Sequence, residues 1–299
     1  MKKIFLVFLI FGINLFAQSS SSTGLSFLKF SFGARNAALG DAGTALSNDV
    51  TSLFYNPAKL PYTSNTEIMV MHNEWVQDVR SEVLGVSTFI GKVPLAFGFN
   101  ITSADNIEIR QIASAEPIST FNAHYFFGSI SSGFFITDSI TAGASVKYLF
   151  ESLYTDEAQG WGFDVALNYR SMIEGLELSA AVRNFGTMNA LKVEKTKLPA
   201  ELRIGPSYKF ELSNFPLDIT AGAEYLKFFD SKDNHLNFGA EFLYDNLLSL
   251  RGGYQTGFEA RSYTLGLGLQ WNKLSFDYAF VPFNSGLGTS NLLSLKIKF

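Results

Sequence analysis

LLSLKIKF, the last eight residues of the chain (292–299), decides how the whole sequence is interpreted. Leu293, Leu295, Ile297 and Phe299 fall on one side of an extended chain, and polar side chains alternate with them on the other. Terminal residues of most domains are poorly ordered unless they are tied down, yet this chain stops on an aromatic in mid-pattern. We interpret the segment as the closing strand of a barrel, with its apolar side facing lipid and its edge paired with the first strand.

The same period of two recurs along the chain, and helical spacing does not fit it. Clear examples are the segments 95–101, 161–169, 217–225, 236–242 and 263–271. Two architectures share this pattern: a soluble sandwich or barrel with its apolar face inside, and a membrane barrel with its apolar face in lipid.

Two features favour the membrane barrel. Apolar faces end in aromatics, as with Trp161 and Tyr169 or Tyr263 and Trp271, which is typical of interfacial girdles. The opposite faces are rich in Gly, Ser and Ala, whereas a soluble surface normally carries more Lys and Glu. We therefore predict an all-β membrane protein, an antiparallel transmembrane β-barrel of about 14 strands with a short N-terminal helical plug.

Composition agrees with this class. Charged residues make up 17 % of the 299 residues and aromatics 15 %, and the formal net charge of −4 gives no basic surface for nucleic acid. Cysteine is absent, which excludes disulfides, thiol catalysis and thiolate metal sites.

Alternation and gap lengths together predict strands and an orientation. The predicted strands lie near 65–73, 82–90, 94–102, 119–133, 139–151, 160–171, 175–186, 200–211, 216–229, 234–244, 247–256, 261–272, 273–283 and 290–299. Connections alternate between short ones, such as 137–138 and 272–273, and longer ones, such as 103–118 and 152–159. Short turns belong in the periplasm and longer loops outside, so both chain termini are expected on the periplasmic side. The segment 103–118 is expected to form a hairpin above the membrane.

The N-terminal region does not alternate. Residues 1–17 have a basic start and a short apolar core, which predicts a secretory signal peptide cleaved after Ala17; an uncleaved anchor is the alternative. Residues 18–62 are predicted to form the plug or hatch, with short helices near 34–39, 42–47 and 49–55, and residues 63–299 the barrel. A periplasmic tail beneath the barrel is the alternative to the plug.

Within this region the turn residues have physical roles. Gly33 and Gly40 permit tight backbone turns, and Asn56, Pro57 and Ala58 are expected to set the turn into the first strand, because the residue before a proline disfavours helix.

Arg35 is the only cation between Lys29 and Lys59, and we expect it to pair with a carboxylate of the lumen. The candidates are Glu224, Glu241 and Asp277; a solvated periplasmic arginine is the alternative. Arg251 and other charges of both signs also lie on polar strand faces, which favours an interior network of ion pairs over an ion-selective pore.

Several blocks resemble one family. GARNAALGDAGTALSNDVTSLFYNPAKL (33–60), HNEW (72–75), RGGYQ (251–255) and FDYA (276–279) look like the signature of the PorV/PorQ family, relatives of the FadL-type fatty-acid transporters. The resemblance implies a fourteen-stranded barrel with an N-terminal hatch. The terminal aromatic of the closing strand, Phe299, also resembles the signal that outer-membrane barrel-assembly machinery recognises.

The resemblance implies two functions. One is support of type IX protein secretion, with exported cargo proteins or secretion components as partners. The other is FadL-like uptake of a hydrophobic ligand, with the N-terminal segment as hatch. The chain is short for a PorV, which weakens the first. Either implies location in outer-membrane lipid of a Gram-negative-type bacterium after removal of the signal peptide.

An enzyme is not predicted. His72, His124 and His235 fall on separate predicted segments without metal-ligand spacing, and no phosphate-binding loop precedes a helix. We therefore expect no catalytic residues, metal site or cofactor.

Overall fold

The structure is a computed structural model that describes residues 24–63, 65–113, 116–193, 195–212 and 215–299. The predicted signal peptide, residues 1–17, lies outside the described residues. None of the helices in these ranges is long and apolar enough to cross a membrane.

The described chain forms a closed barrel of fourteen antiparallel strands in which each strand pairs with its sequence neighbours and β14 pairs with β1. The predicted fold class is therefore confirmed. The strands are β1 Glu67–Glu74, β2 Val79–Ile90, β3 Val93–Ile109, β4 Ser119–Phe135, β5 Ile140–Leu153, β6 Asp156–Arg170, β7 Leu176–Met188, β8 Glu201–Glu211, β9 Leu217–Phe228, β10 His235–Tyr244, β11 Leu248–Thr256, β12 Tyr263–Trp271, β13 Leu274–Pro282 and β14 Thr289–Lys298.

Apolar side chains point away from the lumen. On β12, Leu267 is 55 % exposed, whereas Thr264 on the opposite face is 2 % exposed. On the closing strand Leu293 and Leu295 face outward, while Ser294 and Lys296 are buried inside. A soluble sandwich would bury these leucines, so that alternative is wrong, and the outer surface matches the apolar band of a membrane barrel.

The two ends of the barrel differ. We call the end that carries the 91–92 and 272–273 turns the turn end; β1 begins and β14 ends there. The opposite end, which we call the loop end, carries the longer connections, of which 189–200 is the longest.

Of two predicted connections at the loop end, 103–118 forms the expected hairpin, whereas 152–159 was predicted wrongly as a loop. β3 and β4 continue as a paired hairpin to Ile109 and Ser119, with an irregularity between Ala104 and Ile107. The expected loop 152–159 is a tight turn instead, since Leu153 already pairs with Asp156. Tyr154 adopts a positive φ of 59° there, and without the usual Asn or Gly the turn had no sequence signal.

The N-terminal segment lies inside the barrel and runs from one end to the other. It contains a 3-10 helix at Ser26–Lys29, α1 Ala34–Ala38, α2 Gly43–Leu46, α3 Ser52–Tyr55 and a second 3-10 helix at Pro57–Tyr62. Gly24 donates its backbone N–H to Lys197 O (3.1 Å) in the loop-end connection 189–200. At the far end, Tyr62 packs against Phe135 of β4, with ring centroids 5.3 Å apart.

The course of this segment, residues 24–63, corrects one expectation. Both chain ends were expected on the same side. The start of β1 and the end of β14 do lie together at the turn end, but Gly24, where the described chain begins, lies at the loop end. An even number of strands fixes the positions of the start of β1 and the end of β14, but not the course of the segment that precedes β1. We call residues 24–63 the plug.

Arginine at Leu267, in the middle of β12 on the outer face, should lower the free energy of unfolding by about 2–4 kcal/mol, because it places a charge at mid-bilayer depth. Tyr263→Arg, at the loop-end boundary of the same strand, should cost only about 0–1 kcal/mol. Urea unfolding in lipid vesicles measures both. Equal costs for the two variants would contradict the outward orientation of this face.

Candidate functional site: the plugged lumen

Every charged plug side chain between residues 34 and 63 meets a wall side chain of opposite sign. The pairs are Arg35–Glu241 (2.8 Å), Asp41–Arg203 (3.0 Å), Lys59–Glu177 (3.2 Å) and Asp49–Lys296. The plug is thus fastened to β7, β8, β10 and β14, of which β7 and β8 are neighbours.

Arg35 makes a two-pronged contact with Glu241. Its Nε and Nη2 donate to the two carboxylate oxygens at 2.9 and 2.8 Å, and its Nη1 donates to Leu46 O at 3.0 Å. Burial alone would lower the pKa of Arg35, but Glu241 raises it above its ordinary value. Arg251 of the wall binds Glu241 as well, and its Nη1 donates to Asp277 at 2.7 Å.

Of the three candidate partners for Arg35, Glu241 therefore contacts it directly. Asp277 belongs to the same group through Arg251, whereas Glu224 lies elsewhere, in a second group centred on Arg203.

Arg203 bridges three carboxylates. It donates to Glu201 (2.9 Å), Glu224 (2.8 Å) and Asp41 (3.0 Å). Asp41 also accepts a 2.5 Å hydrogen bond from the hydroxyl of Tyr55. Burial would raise the pKa of Asp41, but Arg203 and this hydrogen bond lower it. We call these five residues the Arg203 cluster.

Glu224 links this cluster to the plug backbone. It accepts from the N–H groups of Thr44 (2.9 Å) and Ala45 (3.3 Å), in the first turn of α2. The alternation of β8 places Arg203 on a polar strand face. It does not indicate this role, because the contacts join residues far apart in the chain.

The closing strand meets the plug through its inward side chains. Ser294 accepts from the Ala34 N–H (2.8 Å), and Lys296 contacts Asp49. Burial would raise the pKa of Asp49, but Lys296 lowers it below its ordinary value. Phe299 lies on the outer face and donates its backbone N–H to Thr66 O (2.9 Å).

The predicted turn residues lie where the plug touches the wall. Gly40 has a φ of +65°, and a Cβ there would lie 2.6 Å from Phe238 O, so both conformation and space require glycine. Gly33 also has a positive φ, of +93°. Asn56 Oδ1 accepts from the Ala58 N–H at 3.1 Å, and Pro57 occupies the first turn of the second 3-10 helix.

Next to β4, β5 and β7, the loop-end half of the lumen is apolar. Phe27 and Phe32 of the plug pack on Phe127 of β4, with ring centroids 6.2 and 5.5 Å apart. Leu149 and Met188 of the wall belong to the same buried cluster, as do Leu198, Leu25, Leu28 and Phe54. We call this group the apolar cluster. A sequence signal existed, because strict alternation fails at Phe126–Phe127 and Leu149–Phe150, where both faces of the wall are apolar.

Two cavities lie beside β9 and β10. The loop-end cavity, of about 580 Å³, reaches Phe228 and His235, and the turn-end cavity, of about 340 Å³, reaches Thr220 and Glu241. Glu224 stands between them along β9, so the Arg203 cluster separates the two cavities.

The wall has one weak seam. The pairing of β7 with β8 stops at Arg183–Glu201, while β7 continues to Met188 and pairs there only with β6. A short interruption of the ladder also occurs at Gly205 and Pro206 of β8.

The histidines are dispersed. His72 contacts Glu82 on the outer face (2.6 Å), His124 is exposed, and His235 lines the loop-end cavity. The described ranges contain no group of three or more His, Cys, Asp or Glu side chains able to hold a metal ion.

Asp49→Asn should lower the free energy of unfolding by about 3–5 kcal/mol at pH 7, because it leaves Lys296 buried without its partner. The pKa of Asp49 is lowered on folding, so its contribution is complete above the unfolded value near pH 4 and is lost as pH falls toward the folded value. Urea titrations between pH 7 and pH 2 should show the difference from wild type narrowing below about pH 4.

The matched control is Asp138→Asn, in an exposed turn, which should change stability by less than about 0.5 kcal/mol. A difference for Asp49→Asn that is as large at pH 2 as at pH 7 would contradict the assignment.

Solved structures with the same fold are outer-membrane barrels. The toluene transporter TodX of Pseudomonas putida superposes with a TM-score of 0.60 at 13 % identity, covering 89 % of this chain and 96 % of TodX. The monoaromatic hydrocarbon channel CymD gives 0.61 at 12 % identity, with 89 % and 96 % covered. A FadL homologue of Pseudomonas aeruginosa gives 0.51 at 12 % identity, with 94 % and 99 % covered.

These similarities show a FadL-like barrel fold, and they do not single out the PorV/PorQ branch. No curated protein sequence matches the chain. A family model described as "Uncharacterised protein family (UPF0164)" matches residues 17–196, more than half of the sequence. The chain therefore belongs to the uncharacterised protein family UPF0164.

Proposed function

We propose that this protein is a non-enzymatic outer-membrane channel for hydrophobic small molecules, with the plug as its hatch. The loop end faces the outside and the turn end the periplasm, in line with the usual placement of long and short connections. The observation that carries the proposal is the apolar cluster in the loop-end half of the lumen.

A porin for hydrophilic solutes has a polar, water-filled interior. Here Phe127, Leu149 and Met188 turn apolar side chains inward, and Phe27 and Phe32 of the plug cover them. Such a surface offers an ion or sugar no hydrogen-bond partners, whereas an apolar solute gains about 25 cal/mol per Å² of surface that it buries there.

Passage requires the plug to move, because its side chains fill this part of the lumen. Beside Met188 and Leu198, the loop-end edge of β7 has no β8 partner. A hydrophobic molecule leaving sideways at this seam breaks no ladder hydrogen bonds, which would each cost several kcal/mol in hydrocarbon. The alternative path, down to the turn-end cavity, requires the Arg203 cluster to open.

The similarity to TodX and CymD supports the proposal, since those proteins are described as a toluene transporter and a monoaromatic hydrocarbon channel. The expected maturation belongs to the same proposal: export by signal peptide 1–17, then insertion into outer-membrane lipid by barrel-assembly machinery that reads the closing strand at Phe299.

Protein secretion of the type IX kind, implied by the PorV/PorQ resemblance, is the weaker candidate. The loop-end connections are mostly short, as at 75–78, 154–155 and 283–288, and they offer little surface to clasp a folded cargo protein. Deleting the gene and comparing the secreted proteins tests this candidate, which an unchanged set would eliminate.

A disulfide can test whether the plug moves. A Cβ placed on Gly24 would lie 3.7 Å from Thr196 Cβ, within the usual 3.5–4.5 Å span of a disulfide. The chain has no other cysteine. The Gly24→Cys/Thr196→Cys variant should therefore lock the plug to the loop end when it is oxidised, and reductant should release it.

The measurement is uptake of labelled naphthalene by a Gram-negative host without a channel of its own for such compounds. Wild type should exceed the empty vector about ten-fold, the oxidised pair should fall to the vector rate, and each single cysteine variant should behave as wild type. Wild-type uptake at the vector rate, or an oxidised pair that transports normally, would contradict the proposal.

A further inference from the structure

The loop-end cavity is built mainly from aromatic rings. Phe30 of the plug, Trp75 of the β1–β2 connection, Phe228 of β9, and Phe258 and Phe283 of two loop-end connections line it. Its volume of about 580 Å³ is typical of sites for small organic molecules.

Contacts between these rings hold the walls in place. Trp75 stacks on Phe30 at 4.3 Å and meets the edge of Phe283 at 4.9 Å, and His235 stacks on Phe258 at 4.0 Å. Flat apolar walls that are already held in place suit a planar apolar ligand, which can stack on the rings or meet their edges. Little conformational entropy of the wall side chains is then lost on binding.

Arg261 lies between the two groups of rings. Its guanidinium carbon is 4.8 Å from the centroid of Phe258 and 5.8 Å from that of Trp75. No hydrogen bond from this guanidinium to another group is present in the part of the chain that the structure describes, so its N–H donors are available to a ligand. No carboxylate in the described ranges is within ion-pair distance of Arg261, unlike Arg35, Arg203 and Arg251.

Two acidic groups, Asp233 and Glu259, also line the cavity, but neither forms an ion pair with Arg261. Asp233 accepts a 2.7 Å hydrogen bond from Ser231, and Glu259 is exposed at the rim. Burial lowers the pKa of Arg261 and Asp41 partly offsets this, but Asp41 is already held by Arg203 and Tyr55. On the opposite wall, Lys29 Nζ lies 4.7 Å over the ring of Phe228, and the carboxylate of Asp230 acts on its charge.

We propose that the loop-end cavity binds small aromatic carboxylates, with the carboxylate on Arg261 and the ring between the aromatic walls. Arginine and carboxylate form paired, parallel hydrogen bonds, which are about twice as strong as neutral ones. The inference rests on the proposed function, because it names what the outer entrance of that channel recognises.

Two other ligand classes fit less well. An organic cation would need the ring faces that the Arg261 guanidinium already covers. A long alkyl acid would gain little from stacked rings, since it has no planar face to place against them.

The test is a titration of purified full-length protein in detergent with 2-naphthoate, followed by Trp75 fluorescence. Trp161 and Trp271, both on the outer face, are replaced by Phe so that Trp75 is the only reporter. Saturable quenching is expected, with at least ten-fold weaker binding of the neutral analogue 2-naphthalenemethanol. Arg261→Gln should remove this preference, and Arg261→Lys should retain part of it.

Arg80→Gln, an exposed arginine on the outer face of β2, is the matched control and should bind as the parent does. Heat-modifiability on gels confirms that each variant forms the barrel. Equal binding of acid and alcohol, unchanged selectivity in Arg261→Gln, or tighter binding of 2-naphthylmethylamine or decanoate would each overturn the inference.

The outcome is separable from that of the proposed function. If 2-naphthoate does not bind while the oxidised plug still blocks naphthalene uptake, the inference fails and the channel stands. If 2-naphthoate binds through Arg261 but no hydrophobic probe is taken up, the cavity is a binding site and the channel proposal fails.

Discussion

Inside this barrel, positively charged wall side chains lie out of reach of bulk water, and each needs an acceptor within the lumen. Lys147, Arg183, Arg203, Arg251 and Lys296 are all buried. Some find carboxylates on neighbouring strands, as Lys147 does with Asp164 at 2.7 Å, but Arg203 and Lys296 also depend on the plug. Because an unpaired buried charge costs several kcal/mol, the plug stabilises the barrel, and any movement of the plug has to keep or replace these contacts.

Steric fit reinforces these charges. A Cβ on Gly253 would lie 2.0 Å from Gly40 N, and one on Gly143 would lie 2.3 Å from Ala58 N. The small inward residues of the strands therefore make room for plug backbone. On β4, β5 and β7, the large apolar side chains of Phe127, Leu149 and Met188 replace them, so this part of the lumen is apolar where the rest is mostly polar and tightly fitted.

The parts of the fold that depend on short-range pattern could be predicted. Lipid outside and a polar interior impose a period of two, so strand positions, the even count and the turn-end turns follow from the sequence. A buried guanidinium requires an acceptor, so the sequence could predict that Arg35 pairs with a lumen carboxylate. It could not predict that this carboxylate is Glu241.

Other features depend on contacts between distant segments and had no local signal. The Arg203 cluster joins residues 41, 201 and 224. The aromatic walls around Arg261 come from six separate segments. The direction in which the plug crosses the lumen depends likewise on contacts between distant segments, such as Gly24 with Lys197 and Tyr62 with Phe135.

The position of the closing strand has a consequence for biogenesis. β14 follows the other thirteen strands in the chain, yet its inward side chains Ser294 and Lys296 bind Ala34 and Asp49, which precede all of the strands. Closure of the barrel and placement of the plug are therefore coupled, because the strand that closes the sheet against β1 also carries contacts to the plug. A barrel that closed without the plug would bury Lys296 without the carboxylate of Asp49, at a cost of several kcal/mol.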